Sequence, residues 1–449
     1  MLRKVGLVAG LVLFACLVSG AAQVADEFDE YGGRVGVRRA ATGFFRTTRG
    51  EGRWWLVDPS GSVFISVGVN RVSLRPRDPR KEKGSPYREA SLEKYRTEGE
   101  WSRAAVERLR GWGFNTLGAG SEGATWGRGM PYTVGLKCTS VVPLGEGREF
   151  PDVYDPAYER AVRRHASRVC RSQVSDRWLV GYFTDDDVGW GSAEEGAGSL
   201  LAEFLGLDDE APGRRALLTF LALRHLNIGE LNEVWGTEYA SFEEVGRTPQ
   251  VGSHIPRDDV AAFQREVAGR YFQVAHDAIR AVDAYHLILG PQFDGEAPGA
   301  VLRAMGEYVD VVSLGCQGTT PPAEQVREIY RVTQLPVLIL RFGFRAAEPS
   351  GVAEGEEAAG ATREERAELY EQFVRDLLAL PMVVGYHWVD HTDEAVRDAR
   401  GRYVGGFGLV NVRDEPYGPL VAAARRVNRD VYRLATGKAA NPSGAEDGG

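Results

Sequence analysis

The sequence predicts an α/β protein with the architecture of a (β/α)8 TIM barrel, and three observations support this prediction. Eight short apolar runs with strand character recur along the chain, and amphipathic stretches with helical spacing separate them. Several of these runs are almost continuously apolar, as expected for parallel strands that are buried on both faces. No glycine-rich phosphate-binding motif follows the first run, which favours a closed barrel over an open doubly wound sheet.

The predicted elements cover most of the chain in strict alternation. The strands are predicted at residues 63–70, 115–119, 138–144, 179–184, 287–293, 309–316, 336–344 and 383–390. The clearest helices are predicted at residues 92–110, 157–171, 260–281, 323–330, 363–380 and 419–434.

Residues 1–22 have the pattern of a secretory signal peptide. Arg3 and Lys4 precede an apolar stretch that is too short to span a membrane, and small residues follow it. We expect cleavage near Ala22 and an exported protein, periplasmic or extracellular. The bulky Phe14 argues against a lipoprotein anchor at Cys16.

The remainder divides into a lead-in, a barrel and a tail. The charged, glycine-rich residues 23–42 predict an irregular lead-in, and residues 43–437 predict the barrel. The barrel begins with a short β-hairpin, and a helical insertion follows its fourth strand. Residues 438–449 contain few apolar side chains and are expected to be disordered.

Charge and cysteine content exclude several classes of function. The formal net charge is −9, and it becomes −11 without residues 1–22, which argues against binding to nucleic acid or anionic membranes. Cys138, Cys170 and Cys316 remain, an odd number without metal-ligand spacing, so we predict no zinc cluster and no disulfide scaffold. The sequence does not decide whether Cys138 and Cys170 form a disulfide. We predict no cofactor, no metal site and no membrane span, and the oligomeric state is not predicted.

The segment GYFTDDDVGW, residues 181–190, is the strongest functional signal. It ends a predicted buried strand with Asp185, Asp186 and Asp187, and Trp190 follows. The carboxyl ends of barrel strands carry the chemistry in this fold. Adjacent carboxylates repel one another, so at least one should have a raised pKa. The structural alternative is a solvated acidic loop or the start of a helix.

Long collinear segments of the chain resemble the β-agarases of glycoside hydrolase family 50, which are retaining (β/α)8 hydrolases. Among these segments are GRWWLVDPSGSVFISVGVN, GWGFNTLGAG, LVGYFTDDDVGWG and VVGYHWVDHTDE. The resemblance extends from about residue 43 to residue 437. It implies a carbohydrate ligand, bound in a cleft at the top of the barrel.

The catalytic positions depart from the family pattern. Where the family has Asp-Asn-Glu after the fourth strand, this chain has Asp185, Asp186 and Asp187, so the resemblance places Asp187 in the acid/base position. Where the family has its nucleophilic Glu after the seventh strand, this chain has Arg341. Gln292 also replaces a usual Arg of the fifth strand.

These departures predict the loss of ordinary retaining hydrolysis. A retaining glycosidase needs two carboxyl groups about 5–5.5 Å apart, one of them a nucleophile. A guanidinium stays protonated and cannot attack, and its charge opposes the developing oxocarbenium ion. An acid that is shorter by one methylene misplaces its proton by about 1 Å, which can cost about a hundredfold in rate. We further hypothesise that Arg341 forms a bidentate ion pair with Asp186 or Asp187.

Other strand-end residues complete the predicted site. By position and resemblance, the residues expected to bind sugar are Asn70, Asn115, Asp185, Trp190, His387, Trp388 and Asp393. The alternatives are that Trp388 closes the barrel, that His387 is a buried core histidine and that Asp393 is a structural cap. Asp390 is the candidate base for an inverting mechanism with Asp187 as acid, which requires carboxyl groups about 6.5–9.5 Å apart.

Three functions remain open from the sequence. The first is an exported agarase-like protein that recognises a polysaccharide or oligosaccharide without retaining hydrolysis, motivated by Arg341. The second is an active glycoside hydrolase that uses Asp187 as acid and a non-standard base such as Asp390. The third is a structural protein without a ligand.

Overall fold

The computed structural model describes residues 28–76, 85–145, 148–191, 198–247, 255–347, 360–393 and 406–437. The predicted signal peptide at 1–22, including Cys16, and the predicted tail at 438–449 lie outside the described residues. Within the described ranges, no helix is long and apolar enough to cross a membrane.

A closed parallel sheet forms the centre of the molecule and confirms the predicted barrel. Its segments are β5 (Ser66–Val69), β6 (Thr116–Leu117), β7 (Tyr132–Gly135), β8 (Leu179–Phe183), β9 (Leu287–Gly290), β10 (Gln292–Asp294), β11 (Val312–Gly315), β12 (Val337–Phe342) and β13 (Val383–Trp388). Neighbouring segments pair in the order β10-β11-β12-β13-β5-β6-β7-β8-β9. Pro291 alone separates β9 from β10, and because proline has no N–H to donate, it interrupts the fifth strand of an eight-stranded barrel.

The predicted third strand is wrong. The strand is β7, six residues earlier, and it pairs with β8 through Tyr132 and Leu179. The predicted run begins instead with a 3₁₀ helix at Cys138–Val141. Lys137 precedes this helix in the left-handed conformation (φ 58°), which ends the extended backbone.

An antiparallel sheet precedes the barrel and contains the predicted hairpin. Its strands are β1 (Arg34–Arg38), β2 (Arg46–Gly50), β3 (Arg53–Val57) and β4 (Ser62–Phe64), in the order β1-β4-β3-β2. Strand β1 falls within the lead-in that we expected to be irregular, because its backbone pairs with β4. The sheet side chains Phe45, Leu56 and Phe64 pack with the barrel residues Val180, Leu289 and Leu338 and so close the amino end of the barrel.

Helices surround the barrel, and a larger apolar core lies between them and the strands. They are α1 (Pro86–Tyr95), α2 (Glu98–Gly111), α3 (Pro156–Cys170), α4 (Leu200–Leu205), α5 (Pro212–His225), α6 (Ile228–Trp235), α7 (Arg257–Arg280), α8 (Gly299–Met305), α9 (Ala323–Thr333), α10 (Arg363–Leu378), α11 (Gly418–Arg429) and α12 (Val431–Thr436). The predicted helix at 92–110 is divided between α1 and α2, because Arg96 has a positive φ of 67° and Thr97 caps the second helix. Helices α4 to α6 form the predicted insertion after the fourth strand.

Candidate functional site

The carboxyl ends of the barrel strands bring together a set of charged and polar side chains. We call the following residues the mouth cluster: Lys137, Asp186, Asp187, Gln292, Asp294 and Arg341. They lie in or directly after the carboxyl-terminal parts of the strands β7, β8, β10 and β12. Because parallel strands end at the same rim, residues that are more than 100 positions apart in the chain, such as Asp186 and Gln292, meet there.

Asp186 is held by two neighbours. The Lys137 Nζ atom lies 2.9 Å from Asp186 Oδ2, and Gln292 Nε2 donates a hydrogen bond of 2.9 Å to Oδ1. Both charged side chains are more than half exposed, so the ion pair positions the carboxylate more than it stabilises the fold.

Asp187, which the resemblance places at the acid/base position, is exposed and has no ion-pair or hydrogen-bond partner among the described residues. Partial burial and the negative charges of Asp294 and Asp186 raise the pKa of Asp187, and the positive charge of Arg341 opposes them. The geometry therefore favours a carboxyl group that holds a proton more readily than an ordinary aspartate.

Arg341 faces Asp294, and this corrects the hypothesis that it pairs with Asp186 or Asp187. Asp294, Gly315 and Arg341 occupy matching positions on three neighbouring strands. Gly315 has no side chain to separate its neighbours, so Arg341 Nη1 comes within 3.9 Å of Asp294 Oδ2. The two oxygens of Asp186 instead contact Lys137 and Gln292.

Asp185 is buried behind the rim and anchors the loop that carries Asp186 and Asp187. It accepts hydrogen bonds from the Thr139 amide (3.1 Å), the Thr139 hydroxyl (2.7 Å) and the Tyr271 hydroxyl (2.6 Å). Burial raises its pKa to about 6, although these three donors oppose the shift. Its carboxylate therefore links the loop to the 3₁₀ helix and to α7, and it does not face the mouth.

Asp390, the candidate base, is in an ion pair. Its Oδ1 lies 3.1 Å from Arg71 Nε, and its side chain is only 11% exposed. A carboxylate held by a guanidinium is a weaker proton acceptor than a free one.

The tryptophans that we expected to stack on sugar lie in the core. Trp190 is 5% exposed and packs against Phe150, Tyr271 and Phe272. Trp388 is fully buried, and its Nε1 donates a hydrogen bond of 2.7 Å to the carbonyl of Phe407. Neither ring presents a face to the mouth, because Trp190 packs against α7 and Trp388 points outward from the barrel towards α10.

Two further predicted sugar ligands have structural roles. Asn115 lies at the amino end of β6, where its side chain bonds the backbone of Ile65 and Val67. Asp393 is fully buried and accepts hydrogen bonds from the Gly408 amide and the Tyr417 hydroxyl, which agrees with the structural-cap alternative.

Asn70 and His387 lie inside the barrel, beneath the mouth. The side-chain amide of Asn70 donates a hydrogen bond of 2.7 Å from Nδ2 to the Leu340 carbonyl, and His387 Nε2 lies 2.8 Å from the Ser66 hydroxyl. Burial lowers the pKa of His387 to about 3, so the imidazole is neutral. Asn70 Oδ1 and His387 Nδ1 have no hydrogen-bond partner among the described residues, and they approach Gly118 so closely that a Cβ there would lie 2.0 and 2.8 Å from them.

The sequence analysis missed Asp294 and Lys137. Asp294 directly follows the predicted fifth strand, and its position at a carboxyl end was the available signal. Lys137 was hidden by the misplaced third strand. Cys138, Cys170 and Cys316 are free thiols, and the described residues contain no cluster of three potential metal ligands.

Sequence comparison relates the chain to β-agarases. It is 25% identical over 480 residues to β-agarase B of Vibrio sp. (strain JT0107), which covers 90% of this chain and 50% of that protein. It is 26% identical over 454 residues to β-agarase A of the same strain, which covers 85% and 45%. The chain thus spans about half the length of these relatives, and no protein-family profile matches it.

Solved structures show the same fold. An agarase, AgWH50C, superimposes with a TM-score of 0.77 at 22% identity over 93% of this chain and 70% of its own. An exo-β-agarase superimposes with a TM-score of 0.79 at 22% identity over 91% and 67%. PfGH50B gives 0.79 at 21% identity over 94% and 72%. Taken together, these comparisons show that the chain resembles β-agarases in sequence and shares the fold of the three solved structures.

Proposed function

We propose that this chain is an exported agarase-like protein whose barrel mouth recognises a polysaccharide or oligosaccharide without retaining hydrolysis. The observation that carries the proposal is Arg341, which lies next to the carboxyl end of β12 at the position that the resemblance gives to the nucleophile. Strand β12, Val337–Phe342, contains no carboxylate, and the Arg341 guanidinium faces Asp294 at 3.9 Å. A fixed positive charge at this point opposes an oxocarbenium ion and leaves no group to form a glycosyl-enzyme.

Export is part of this proposal and rests on residues 1–22. Their basic start, apolar centre and small residues before the expected cleavage point have the order of a signal peptide.

Catalysis by a different route is the second candidate, and the state of Asp187 favours it. This carboxyl group is exposed and unpaired among the described residues, and its raised pKa suits a general acid. Its base would be Asp390, which is held by Arg71, or Asp294, whose charge acts on Asp187.

The test separates binding from turnover. The purified protein is incubated with oligosaccharides from agar, carrageenan and porphyran, and reducing ends and binding heats are measured in parallel. We expect saturable binding without release of reducing ends. Turnover that disappears in Asp187→Ala would establish the catalytic alternative instead, and the absence of any binding would leave a structural protein.

A matched pair of variants tests the assignment of Arg341. Arg341→Glu restores a carboxylate at the nucleophile position, and we expect it to acquire slow hydrolysis of an oligosaccharide that the unmodified protein binds. Arg331→Glu, on α9, makes the same substitution outside the mouth and should remain inactive. If neither variant hydrolyses the bound sugar, Arg341 does not occupy the nucleophile position.

A further inference from the structure

The guanidinium of Arg341 has donors that the described part of the protein does not use. No hydrogen bond joins its nitrogens to any described residue, because the approach to Asp294 Oδ2 is 3.9 Å, too long for one. Its Nε atom is buried and has no hydrogen-bond partner in the ranges that the structure describes. Unsatisfied buried donors are unfavourable, so the site favours a ligand that brings acceptors to this guanidinium.

The shape of the guanidinium restricts which acceptors fit. Its five N–H groups form a planar fork that matches two oxygens of a carboxylate or a similar oxyanion. A sugar hydroxyl offers a single oxygen and no charge, so it uses less of this capacity. Hydrogen bonds between two charged groups are also about twice as strong as those between neutral ones.

The charges of the mouth cluster balance one another when Asp187 is protonated, so the cluster then does not repel an anion. Lys137 balances Asp186, and Arg341 balances Asp294. When Asp187 is protonated, the cluster therefore has no net charge, and the Asp187 hydroxyl is itself a donor. When Asp187 is ionised, the cluster carries one negative charge, which repels a second anion.

We propose that the saccharide bound in the mouth carries an acidic group, a carboxylate or a sulfate ester, and that the Arg341 guanidinium binds this group. Arg341 is then a specificity-determining residue. The inference rests on the proposed function, because it names the chemical class of the saccharide that the same mouth recognises.

Binding of an acidic sugar should be coupled to the protonation of Asp187. The groups that face Asp187 are Asp186 on its own loop, Asp294 on β10 and Arg341 on β12. Lys137 acts on it through its pair with Asp186. An anion on Arg341 cancels the positive charge that lowers the pKa of Asp187, so binding takes up a proton and weakens as the pH rises.

Calorimetric titration of the purified protein with matched ligands tests the inference. One pair is a tetrasaccharide of κ-carrageenan and its desulfated form, and the other is trigalacturonate and its methyl ester. We expect the acidic member of at least one pair to bind about tenfold more tightly or better. The pair that shows the preference identifies the group as a sulfate or a carboxylate.

Variants assign the preference to Arg341. Arg341→Gln should bind the acidic and neutral members with similar affinity. Arg331→Gln removes the same charge on α9, where the ion pair is with Glu328 of the same helix, and should keep the preference. Circular dichroism melting of each variant verifies that it is folded.

The outcomes separate this inference from the proposed function. Equal affinity for acidic and neutral members overturns the inference and leaves saccharide binding intact. No binding of any member also overturns the inference, and the proposed function fails only if the agar and porphyran oligosaccharides are not bound either. A preference that survives in Arg341→Gln also overturns it. A sulfate ester stays ionised from pH 4 to pH 8, so any fall in the affinity for a sulfated sugar over this range should come from Asp187. We expect such a fall in the unmodified protein and none in Asp187→Asn. A flat profile in the unmodified protein contradicts the charge-balance argument.

Discussion

The barrel holds carboxyl groups at both of its ends, in opposite environments. At the amino end, Asp58 is fully buried, accepts hydrogen bonds from the amides of Ser60 (2.9 Å) and Ser62 (3.0 Å), and lies beside the carboxyl group of Asp29. At the carboxyl end, Asp187 is exposed and has no such partner among the described residues. Both have raised pKa values, but for Asp58 the causes are its complete burial and the neighbouring Asp29 carboxyl group, whereas Asp187 lies at the exposed mouth.

This difference shows that a raised pKa does not by itself mark a functional group. Asp58 joins the segment before β1 to the turn between β3 and β4, and that segment places Tyr31 in the core at the amino end of the barrel. Its proton contributes to folding. The carboxyl group of Asp187 is exposed at the mouth, where a ligand can reach it.

Trp388→Ala should have the largest effect, and it should be on stability. The ring is fully buried among Phe342, Phe344 and Tyr370, so its loss should cost about 3–5 kcal/mol of unfolding free energy. Urea denaturation measures it. Gln292→Ala, in the mouth, is the comparison and should change stability by less than about 1 kcal/mol. A stable Trp388→Ala protein with weakened sugar binding would show that this ring contributes to sugar binding and not to the core.

Asp58→Ala should destabilise the protein by about 2 kcal/mol or more. The substitution leaves the buried amides of Ser60 and Ser62 without their acceptor, and each unsatisfied group is costly. Asp187→Ala should change the unfolding free energy by less than about 0.5 kcal/mol, because its carboxylate binds nothing in the described fold. Similar losses in the two variants would contradict the distinction between the two ends.

The pH dependence of stability should arise at the amino end. Burial and the neighbouring Asp29 carboxyl raise the pKa of Asp58 to about 7, from about 3.9 in an unfolded chain. The protonated form is thus favoured by folding, so its contribution is complete below about pH 4 and is lost as the pH rises to about 7. Asp58→Asn mimics the protonated group, and its unfolding free energy should lose about 4 kcal/mol less than that of the unmodified protein between pH 4 and pH 8. Parallel curves for the two proteins would rule out this titration.

Lys137→Ala should have the smallest effect on stability. Its ion pair with Asp186 is exposed, and such pairs contribute about 0–1 kcal/mol. We expect a change below about 0.5 kcal/mol in urea denaturation, and the effect should vanish at 1 M salt because exposed charges are screened. A loss of 2 kcal/mol would mean that the mouth cluster stabilises the fold.

The fold was more predictable than the directions of the side chains. Periodicity located all strands of the barrel except the third. There the longer apolar run 138–144 was the stronger strand signal, and the true strand at Tyr132–Gly135 is shorter. Position at a strand end correctly placed Asp186, Asp187 and Arg341 at the rim. It could not decide the orientation of His387 and Trp388, which are adjacent and therefore point to opposite faces of their strand.

Pairing between distant residues was also beyond the sequence. That Arg341 meets Asp294 depends on the register of three strands and on the missing side chain of Gly315 between them. The pairing of Asp186 with Lys137 depends on a left-handed residue at the end of β7. Neither feature has a periodic signal.

The central claim is that the mouth binds a saccharide and does not hydrolyse it, and parallel calorimetry and reducing-end measurement on one agar-derived or carrageenan-derived oligosaccharide tests it most directly. We predict saturable binding of the intact sugar, with no increase in reducing ends over the buffer control. Steady release of reducing ends by the unmodified protein, abolished in Asp187→Ala and retained in Arg331→Gln, would contradict the claim.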